Sequence, residues 1–352
     1  MKNIFFIISL VFFSACNICD NSEYGKEYVF SKENVINNVP DSWANSIVAD
    51  IKLETSDSLY IDPYFKIIIN DSNVYAFYNG PIYHFNIDGT FIKKFGRIGH
   101  AEDEYIQLND VCLNPDAREI NVMTSSGILK KFDYDGNYKS TQKIGLGVRS
   151  LFYEDGRYWL STGANDYYSG CEVFMANEKF EIEKEFIKRG FTIPNANHTF
   201  SQSPIKTYHF YFSNDVYHIE NDTVILAYKF KFPGLEIPEL FQHGTMEEYA
   251  EKYETFNCAT IWNYLESEQY MYLLVDEYVD TKHVLYHWII DKINNEELII
   301  NLGDGDELME SYHSYPQMLT EKNVLYFLGK KDCKSNDESV HIIGVDLTKL
   351  FK

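Results

Sequence analysis

Two acidic turns in the sequence have a residue spacing that could bind a calcium ion. The run from Asp133 to Asn137 resembles the start of a calcium loop, and Gly303 to Glu307 places three carboxylates within five residues. In the first run the glycine stands at the fourth place instead of the sixth, and no Glu stands at the twelfth, so a plain hairpin turn is favoured. An exposed acidic turn is favoured for the second run. Calcium is therefore the one possible cofactor, and no metal ligand is assigned.

Other patterns that carry chemistry are mostly missing from the sequence. It has no G-x-S-x-G elbow, no H-E-x-x-H pair, no phosphate-binding P-loop and no dinucleotide-binding glycine pattern. His283 and His287 fall in a strand-like run, where residues four apart share a face but lie about 13 Å from each other. That separation is too long for a shared metal ion. The sequence assigns no catalytic residue.

The elements that would position any site are short strands separated by turns. Asp88-Gly89 and Asp135-Gly136 lie between alternating runs rich in aromatic residues, and a weaker third copy ends near Phe180. Asp-Gly in this setting indicates a β-hairpin, and a type I′ turn would need positive φ at both central residues. The two Asp-Gly pairs lie 47 residues apart (135 minus 88), which is a repeat period typical of propeller blades.

The repeats predict an all-β fold, a six-bladed β-propeller with four-stranded blades over residues 46–352. The run from Ile47 to Glu54 is left over and can complete the last blade, which closes the ring with strands from both ends of the chain. A sandwich or two unrelated β domains remain the alternative. The six units span about 64–95, 106–144, 147–187, 205–232, 261–302 and 316–346.

One segment interrupts the strand pattern between blades four and five. Thr245 and Glu248 fit a capping box, and the apolar residues up to Tyr253 share one helical face. We expect a short helical insertion here, which could cover a channel mouth or be peripheral.

The amino terminus predicts export and lipid attachment. Residues 1–15 have one basic side chain followed by an apolar run too short to span a bilayer, which is typical of a signal peptide. Phe13-Ser14-Ala15-Cys16 resembles a bacterial lipobox, so we expect lipidation of Cys16, with ordinary secretory cleavage as the alternative. Residues 16–45 are expected to form a tether. The expected location is the outer membrane, on its periplasmic or cell-surface side.

The charge of the chain restricts its partners. The formal net charge is -22, and 16% of the residues are aromatic. Repulsion of phosphate excludes nucleic acid as a partner and disfavours docking on anionic lipid through a basic patch. The aromatic content excludes a disordered acidic chain. No other segment approaches 18 consecutive apolar residues, so the lipid would be the only membrane attachment. The expected partner is a glycan, a peptide or an outer-membrane protein.

Candidate ligand residues lie near the channel of the expected propeller. The innermost strands are expected to begin near Ile106, Val148, Thr207 and Ile261. Carboxylates and aromatic rings at these positions could bind sugar hydroxyls or a cation, and the alternative is that they satisfy strand ends. The candidates are His100, Glu102, Glu104, Asn109, Asp110, Arg149, His209, Asn263 and Glu266.

Several segments resemble the six-bladed β-propeller lipoproteins of gut Bacteroides, an NHL-like or TolB-like family largely of unknown function. They are Phe91–Gly99 with Glu104-Tyr105, Asn214–Ile219 with Ala227–Phe230, and Leu265–Ser267 with Tyr270–Tyr272 and Tyr286–Lys292. His100 to Asp103 replace the family's Gly-Pro part. The resemblance covers nearly the whole mature chain, and it implies a binding or scaffold role near surface glycan-use machinery.

The leading function is therefore a non-catalytic lipoprotein propeller that binds a glycan, a peptide or a partner protein. The enzymatic alternative is a propeller hydrolase, lactonase or lyase that uses carboxylates at the central channel, because propellers can assemble active sites from distant residues. A third possibility is a structural subunit of an outer-membrane complex.

Overall fold

The fold is defined by the parts of the chain for which the computed structural model gives a description. These are residues 25–56, 59–70, 72–162, 170–188, 198–210, 213–239, 256–305, 308, 311–331 and 339–351. Cys16, the expected signal peptide and the helix expected over Thr245–Tyr253 lie outside these residues.

The described chain begins with short elements that precede the blades. They are β1 (Lys26–Val29), a 3-10 turn (Lys32–Asn34), β2 (Val35–Ile36), helix α1 (Asp41–Asn45) and β3 (Ile47–Lys52).

Blades one to three follow in chain order, each a four-stranded antiparallel sheet. Blade one contains β4 (Lys66–Asn70), β5 (Asn73–Phe77), β6 (Ile82–Asn86) and β7 (Phe91–Phe95). A short parallel pair, β8 (Arg97–Ile98) and β9 (Glu104–Tyr105), leads to the next blade. Blade two contains β10 (Leu108–Asn114), β11 (Glu119–Thr124), β12 (Ile128–Asp133) and β13 (Tyr138–Lys143). Blade three contains β14 (Ser150–Glu154), β15 (Arg157–Ser161), β16 (Cys171–Asn177) and β17 (Ile182–Lys188).

Blades four to six complete the ring. Blade four contains β18 (His198–Phe200), β19 (Thr207–Phe210), β20 (Asp215–Glu220) and β21 (Thr223–Lys231). Blade five contains β22 (Cys258–Glu266), β23 (Tyr270–Val279), β24 (Lys282–Asp291) and β25 (Glu296–Asp304). Blade six contains β26 (Pro316–Leu319), β27 (Val324–Lys330) and β28 (Val340–Asp346), with 3-10 turns at Tyr312–Ser314 and Leu347–Lys349.

Six hydrophobic clusters hold the ring together, one at each boundary between neighbouring blades. At the boundary of blades one and two, for example, Phe95 of β7 packs against Phe132 of β12 with ring centroids 5.4 Å apart. Both faces of each blade are therefore buried, which explains why apolar residues do not simply alternate with polar ones along the central strands. The all-β, six-bladed propeller expected from the repeats is confirmed.

The ring is closed by strands from the two ends of the chain. β3 is the outermost strand of blade six and pairs antiparallel with β28, where Ala49 lies opposite Gly344. The structure therefore confirms that the run starting at Ile47 completes the last blade.

The segment before Ile47 differs from the expected tether. β1 adds a parallel strand to β21 at the outer edge of blade four, and β2 adds one to β25 at the outer edge of blade five. Phe30 and Trp43 are 4% and 1% exposed, because they fill the boundaries on either side of blade five. Residues 26–45 are therefore part of the propeller surface and core.

Two local details also differ from the expectations. The innermost strand of blade four is β18, so Thr207 begins the second strand; a three-residue strand gives too little alternation to be recognised in sequence. At the Asp-Gly hairpins only the glycines have positive φ, +90° at Gly89 and +72° at Gly136. Each hairpin carries a register shift beside the turn, so the loop is bulged and is not a two-residue type I′ turn.

Candidate functional site

The innermost strands enclose a central cavity of about 980 Å³. This volume is at the upper end of the range typical of small-molecule pockets. Every blade contributes to its wall, represented in chain order by Ile68, Asp110, Phe152, Phe200, Asn263 and Met318. The cavity is therefore the candidate site, and its two ends differ in chemistry.

The first mouth, where the innermost strands begin, is rich in aromatic rings. Tyr64 precedes β4, Tyr315 precedes β26 and Tyr78 follows β5, and all three line the cavity. The Tyr64 and Tyr315 rings meet edge to face at 5.3 Å, while Tyr64 and Tyr78 are 38% and 50% exposed. The aromatic rings between the blades are buried and cannot contact a ligand. Tyr64 and Tyr78, in contrast, are exposed enough to be available to a ligand. Such rings stack on flat apolar surfaces, and their hydroxyl groups can hydrogen-bond.

Asp110, a predicted candidate, lies in the cavity wall near the first mouth. Its Oδ2 accepts a hydrogen bond from the Leu151 N–H at 3.0 Å, and its Oδ1 lies 3.5 Å from the ammonium group of Lys66. The carboxylate is buried and joins blades one, two and three, so much of its hydrogen-bonding capacity is used within the protein. The Lys66 side chain is 46% exposed and is the partner that a ligand can reach.

Asn263, a second predicted candidate, also lines the cavity. A register shift in β22 next to Trp262 sets the orientation of the Asn263 side chain. The Asn263 Nδ2 donates a hydrogen bond to the Pro316 carbonyl at 3.3 Å. Its Oδ1 is shielded from solvent and accepts no hydrogen bond from the described residues. A buried acceptor without a donor costs free energy, and because solvent does not reach this oxygen, it is not a contact point for a ligand in the cavity.

The second mouth, where the innermost strands end, is crossed by the segment Ser201–Lys206. The Gln202 carbonyl accepts from Leu319 N–H of blade six at 3.0 Å, and Ile205 N–H donates to the Glu266 carbonyl of blade five at 3.2 Å. Burial lowers the pKa of Lys206, an effect partly offset by the charge of Glu154. The segment leaves blade four and reaches both following blades, so it narrows the channel at this end.

Glu266, predicted as a channel residue, is not among the residues that line the cavity. It is fully buried where blades four and five meet, and its carboxylate has four side-chain donors. Burial opposes its ionisation, but the hydrogen bonds and charges of His218 and Lys292 outweigh burial and lower the pKa of Glu266. The donors are His218 Nε2 (2.8 Å), Tyr264 Oη (2.8 Å), Tyr228 Oη (2.9 Å) and Lys292 Nζ (2.5 Å).

The remaining predicted residues also lie outside the cavity lining. His100 and Glu102 are exposed, and Glu104 Oε2 accepts from Ala101 N–H at 2.8 Å within the same loop. Arg149 is half-buried on the approach to β14. His209 is buried in β19, where burial lowers its pKa to about 4. Asn109 donates from its Nδ2 to the Val148 carbonyl at 2.7 Å and thereby joins blades two and three.

The two acidic turns are placed as follows. The Asp133 carboxylate accepts from Asn137 N–H at 2.8 Å and from Asn137 Nδ2 at 2.9 Å, so it organises its own hairpin. Gly305 lies beside His283 at the first mouth, whereas Asp306 and Glu307 are outside the described residues. In the part of the chain with a described structure, no three His, Cys, Asp or Glu side chains form a metal-ligand group.

Sequence reasoning missed the residues that give the first mouth its character. Tyr64, Tyr78 and Lys66 carry no recognisable motif, and with 28 tyrosines in the chain their type does not distinguish them. Their position at a strand end, with Lys66 the first residue of β4 and the two tyrosines one or two residues outside a strand, is the only signal. It requires strand boundaries more accurate than a sequence provides.

Three solved structures with similarity to this chain illustrate the range of the match, and the first of them agrees with the fold. A protein of Bacteroides fragilis described as an exported protein has 13% identity and a TM-score of 0.68, covering 90% of this chain and 99% of its own. U3-55K has 9% identity and a TM-score of 0.49, covering 84% and 98%. BamB from Moraxella catarrhalis has 9% identity and a TM-score of 0.45, covering 85% and 99%.

No curated protein has a significant match in sequence to this chain. Within the described residues, no helix combines the length and the apolar character needed to cross a membrane. A family model does match, over residues 42–341, and its description is a domain of unknown function. That match covers most of the chain and at least part of every blade, so the chain belongs to the DUF4934 family.

Proposed function

We propose that this chain is an exported, lipid-anchored propeller that binds a ligand in its central cavity without changing it chemically. The observation that carries the proposal is the pair of exposed rings, Tyr64 and Tyr78, at the mouth of a cavity of about 980 Å³. The signal-like residues 1–15 and Cys16 support export and lipid attachment. An outer-membrane location follows as part of this proposal.

The chemistry of the cavity favours a neutral ligand with flat faces and hydrogen-bond donors. Tyrosine rings supply stacking surfaces and hydroxyl groups that can donate and accept hydrogen bonds, and the net charge of -22 repels anions at a distance. An oligosaccharide combines these properties, since its hydroxyl groups donate and its ring faces stack. A peptide with aromatic side chains offers similar contacts, and a binding screen must therefore contain both classes.

The test is a glycan and peptide binding screen on the mature chain, followed by variants at the first mouth. Tyr64→Ala and Tyr78→Ala are each expected to weaken binding at least tenfold, because each removes an exposed stacking surface and no core packing. Tyr60→Ala is the matched control, since Tyr60 is 67% exposed and does not line the cavity. Binding that is unchanged in both mouth variants would place the ligand elsewhere.

The same screen tests the catalytic alternative. Each ligand that binds is incubated with the protein and then analysed by mass spectrometry for hydrolysis or elimination products. Recovery of unchanged ligand is expected. A product whose formation is lost in Asp110→Asn would instead support the hydrolase, lactonase or lyase, because Asp110 is a carboxylate in the cavity wall.

A further inference from the structure

The place where the chain leaves the propeller limits how far the domain can lie from the membrane. If Cys16 carries the lipid, eight residues lie between it and Gly25, the first described residue, so the two Cα atoms are nine steps apart along the chain (25 minus 16). Nine steps span at most about 30 Å when fully extended. A tether that ended at Asn45 would have allowed roughly 100 Å. This step depends on the lipid attachment in the proposed function.

The exit point is on the side of the ring and not at either mouth. β1 runs parallel to β21 along the outer edge of blade four, with Lys26 opposite Tyr228 and Val29 opposite Lys231. Gly25 packs so closely there that a Cβ atom would lie 3.2 Å from Leu226 Cγ. The lipid anchor is therefore tied to the outer rim of blade four, which we define as β1 together with β21.

The surface chemistry of this rim differs from that of the whole chain. β1 and β21 contain three lysines and one acid, a local charge of +2, whereas the chain has a formal charge of -22. Two apolar side chains of the rim, Val29 and Ile225, are 51% and 49% exposed. The charged residues are Lys26, Lys229, Lys231 and Glu27.

Lysines next to exposed apolar side chains form a surface suited to the headgroup region of a bilayer. The Lys231–Glu27 ion pair is exposed on both sides, so it adds little rigidity and leaves Lys26 and Lys229 beside it. Such a small patch would not recruit a strongly acidic protein from solution. A short connection to the membrane removes that difficulty, because it keeps the patch at a high effective concentration near the lipid.

We infer that the outer rim of blade four rests on the lipid headgroups of the membrane that holds Cys16. The channel axis then lies roughly parallel to the membrane plane, because the rim is at the side of the ring. Both mouths of the channel face along the membrane surface, and the first mouth stays open to a ligand.

The test uses the mature full-length chain on vesicles of phosphatidylethanolamine and phosphatidylglycerol. Cys19→Ser, Cys171→Ser and Cys333→Ser are combined, and Cys112 and Cys258 are buried, so Cys16 is the thiol that couples to a maleimide phospholipid. The result then does not depend on lipidation in the cell. A fluorescent amino acid replaces Val29 on the rim or Ile92 on β7 of blade one, opposite in the ring. Energy transfer to a headgroup dye is expected to be several-fold higher from position 29.

Charge reversal separates docking from mere proximity to the anchor. Lys229→Glu with Lys231→Glu should reduce the energy transfer from position 29 at least twofold. Raising the salt concentration should also reduce this transfer, because salt screens the attraction to the headgroups. Lys94→Glu with Arg97→Glu is the matched control on the exposed surface at blade one and should leave the transfer unchanged. Circular dichroism checks that each variant is folded.

Equal transfer from positions 29 and 92, or a rim signal indifferent to charge reversal and salt, would overturn the inference. The lipid attachment itself is tested separately, by the mass of the amino-terminal peptide from bacterial membranes. An unlipidated Cys16 would refute the anchor of the proposed function, while the coupled protein would still report on the rim.

Discussion

Nε2 of His218 on β20 and the carboxylate of Glu266 on β22 are 2.8 Å apart and join blades four and five. Glu266 is fully buried, and the Lys292 side chain is only 16% exposed. Replacing the carboxylate would leave a buried cation without its partner. Removal of one member of such a pair is more costly than the loss of a surface ion pair.

Glu266→Gln should therefore lower the free energy of unfolding by roughly 3 kcal/mol. Urea denaturation measures this change, with Glu268→Gln as a control because Glu268 is exposed two residues further along. Ligand affinity in the cavity should stay the same, since Glu266 does not line it. A Glu266→Gln variant with normal stability and lost binding would show that Glu266 belongs to the ligand site after all.

Acid should destabilise the fold through buried histidines. Burial lowers the pKa of His209 and of His313 to about 4, and that of His287 well below its ordinary value. The unfolded chain takes up these protons near pH 6.5 and the folded chain does not. Stability is therefore fully present above that pH and falls as the pH drops toward 4, by roughly 1.4 kcal/mol per pH unit for each histidine.

Unfolding free energies measured between pH 7 and pH 4.5 test this dependence. His209→Gln should reduce the slope by about one proton, while His100→Gln should not change it, because His100 is exposed. A flat profile over this range would show that the histidines do not remain neutral in the fold.

Removal of residues 25–45 should damage the propeller, although the sequence suggested a tether there. Trp43 stacks on His287 with ring centroids 4.7 Å apart and planes 3° from parallel, and its loss would open a cavity between blades five and six. Burial of one large aromatic side chain alone is worth about 3–5 kcal/mol. A chain that begins at residue 46 should therefore unfold at a markedly lower temperature than one that begins at residue 25.

The matched control for that truncation is the pair of chains that begin at residues 17 and 25. Their difference in thermal midpoint measures what residues 17–24 contribute, and the loss on truncation to residue 46 should exceed it. Equal stability of the chains that begin at 25 and 46 would instead show that β1, β2 and α1 are dispensable decoration.

Gly136 should tolerate substitution less well than Gly156, although both have positive φ. A Cβ atom at Gly136 would lie 2.4 Å from Cδ1 of Phe95 in the neighbouring blade, whereas nothing lies within 4 Å of one at Gly156. Gly156→Ala should cost about 1 kcal/mol from backbone conformation alone. Gly136→Ala should cost at least about 1 kcal/mol more, because Phe95 must shift in a packed boundary.

Thermal or urea denaturation of the two variants checks this difference. Equal losses of stability in Gly136→Ala and Gly156→Ala would mean that Phe95 moves aside without cost.

The fold was more predictable from sequence than the site. The hairpins at Gly89 and Gly136 repeat with a period that indicates blades, and the spare strand at Ile47 indicates how the ring closes. The hairpins depend on neighbours in sequence, so local patterns were enough for them, and the strand count of the repeats then left Ile47 for the last blade. β18 was missed because three residues contain too little pattern.

The cavity lining depends on where each innermost strand begins and ends. Asp110 and Asn263 were predicted near the channel and do line it, whereas Glu266 is the last residue of β22 and lies in the boundary between two blades. Consecutive residues from Trp262 to Leu265 line the cavity, so a sequence without accurate strand ends cannot separate Leu265 from Glu266. Trp43 was missed for a similar reason, because a five-residue helix has no periodicity to detect.

The pairing of β3 with β28 also determines when the molecule can finish folding. Ala49 meets Gly344 across 295 residues (344 minus 49), so blade six stays incomplete until nearly the whole chain is present. β1 and β2 likewise wait for β21 and β25. Closure of such long loops is slow. For the export proposed above, this means that the amino-terminal strands cannot complete the ring before the carboxyl-terminal strands are present.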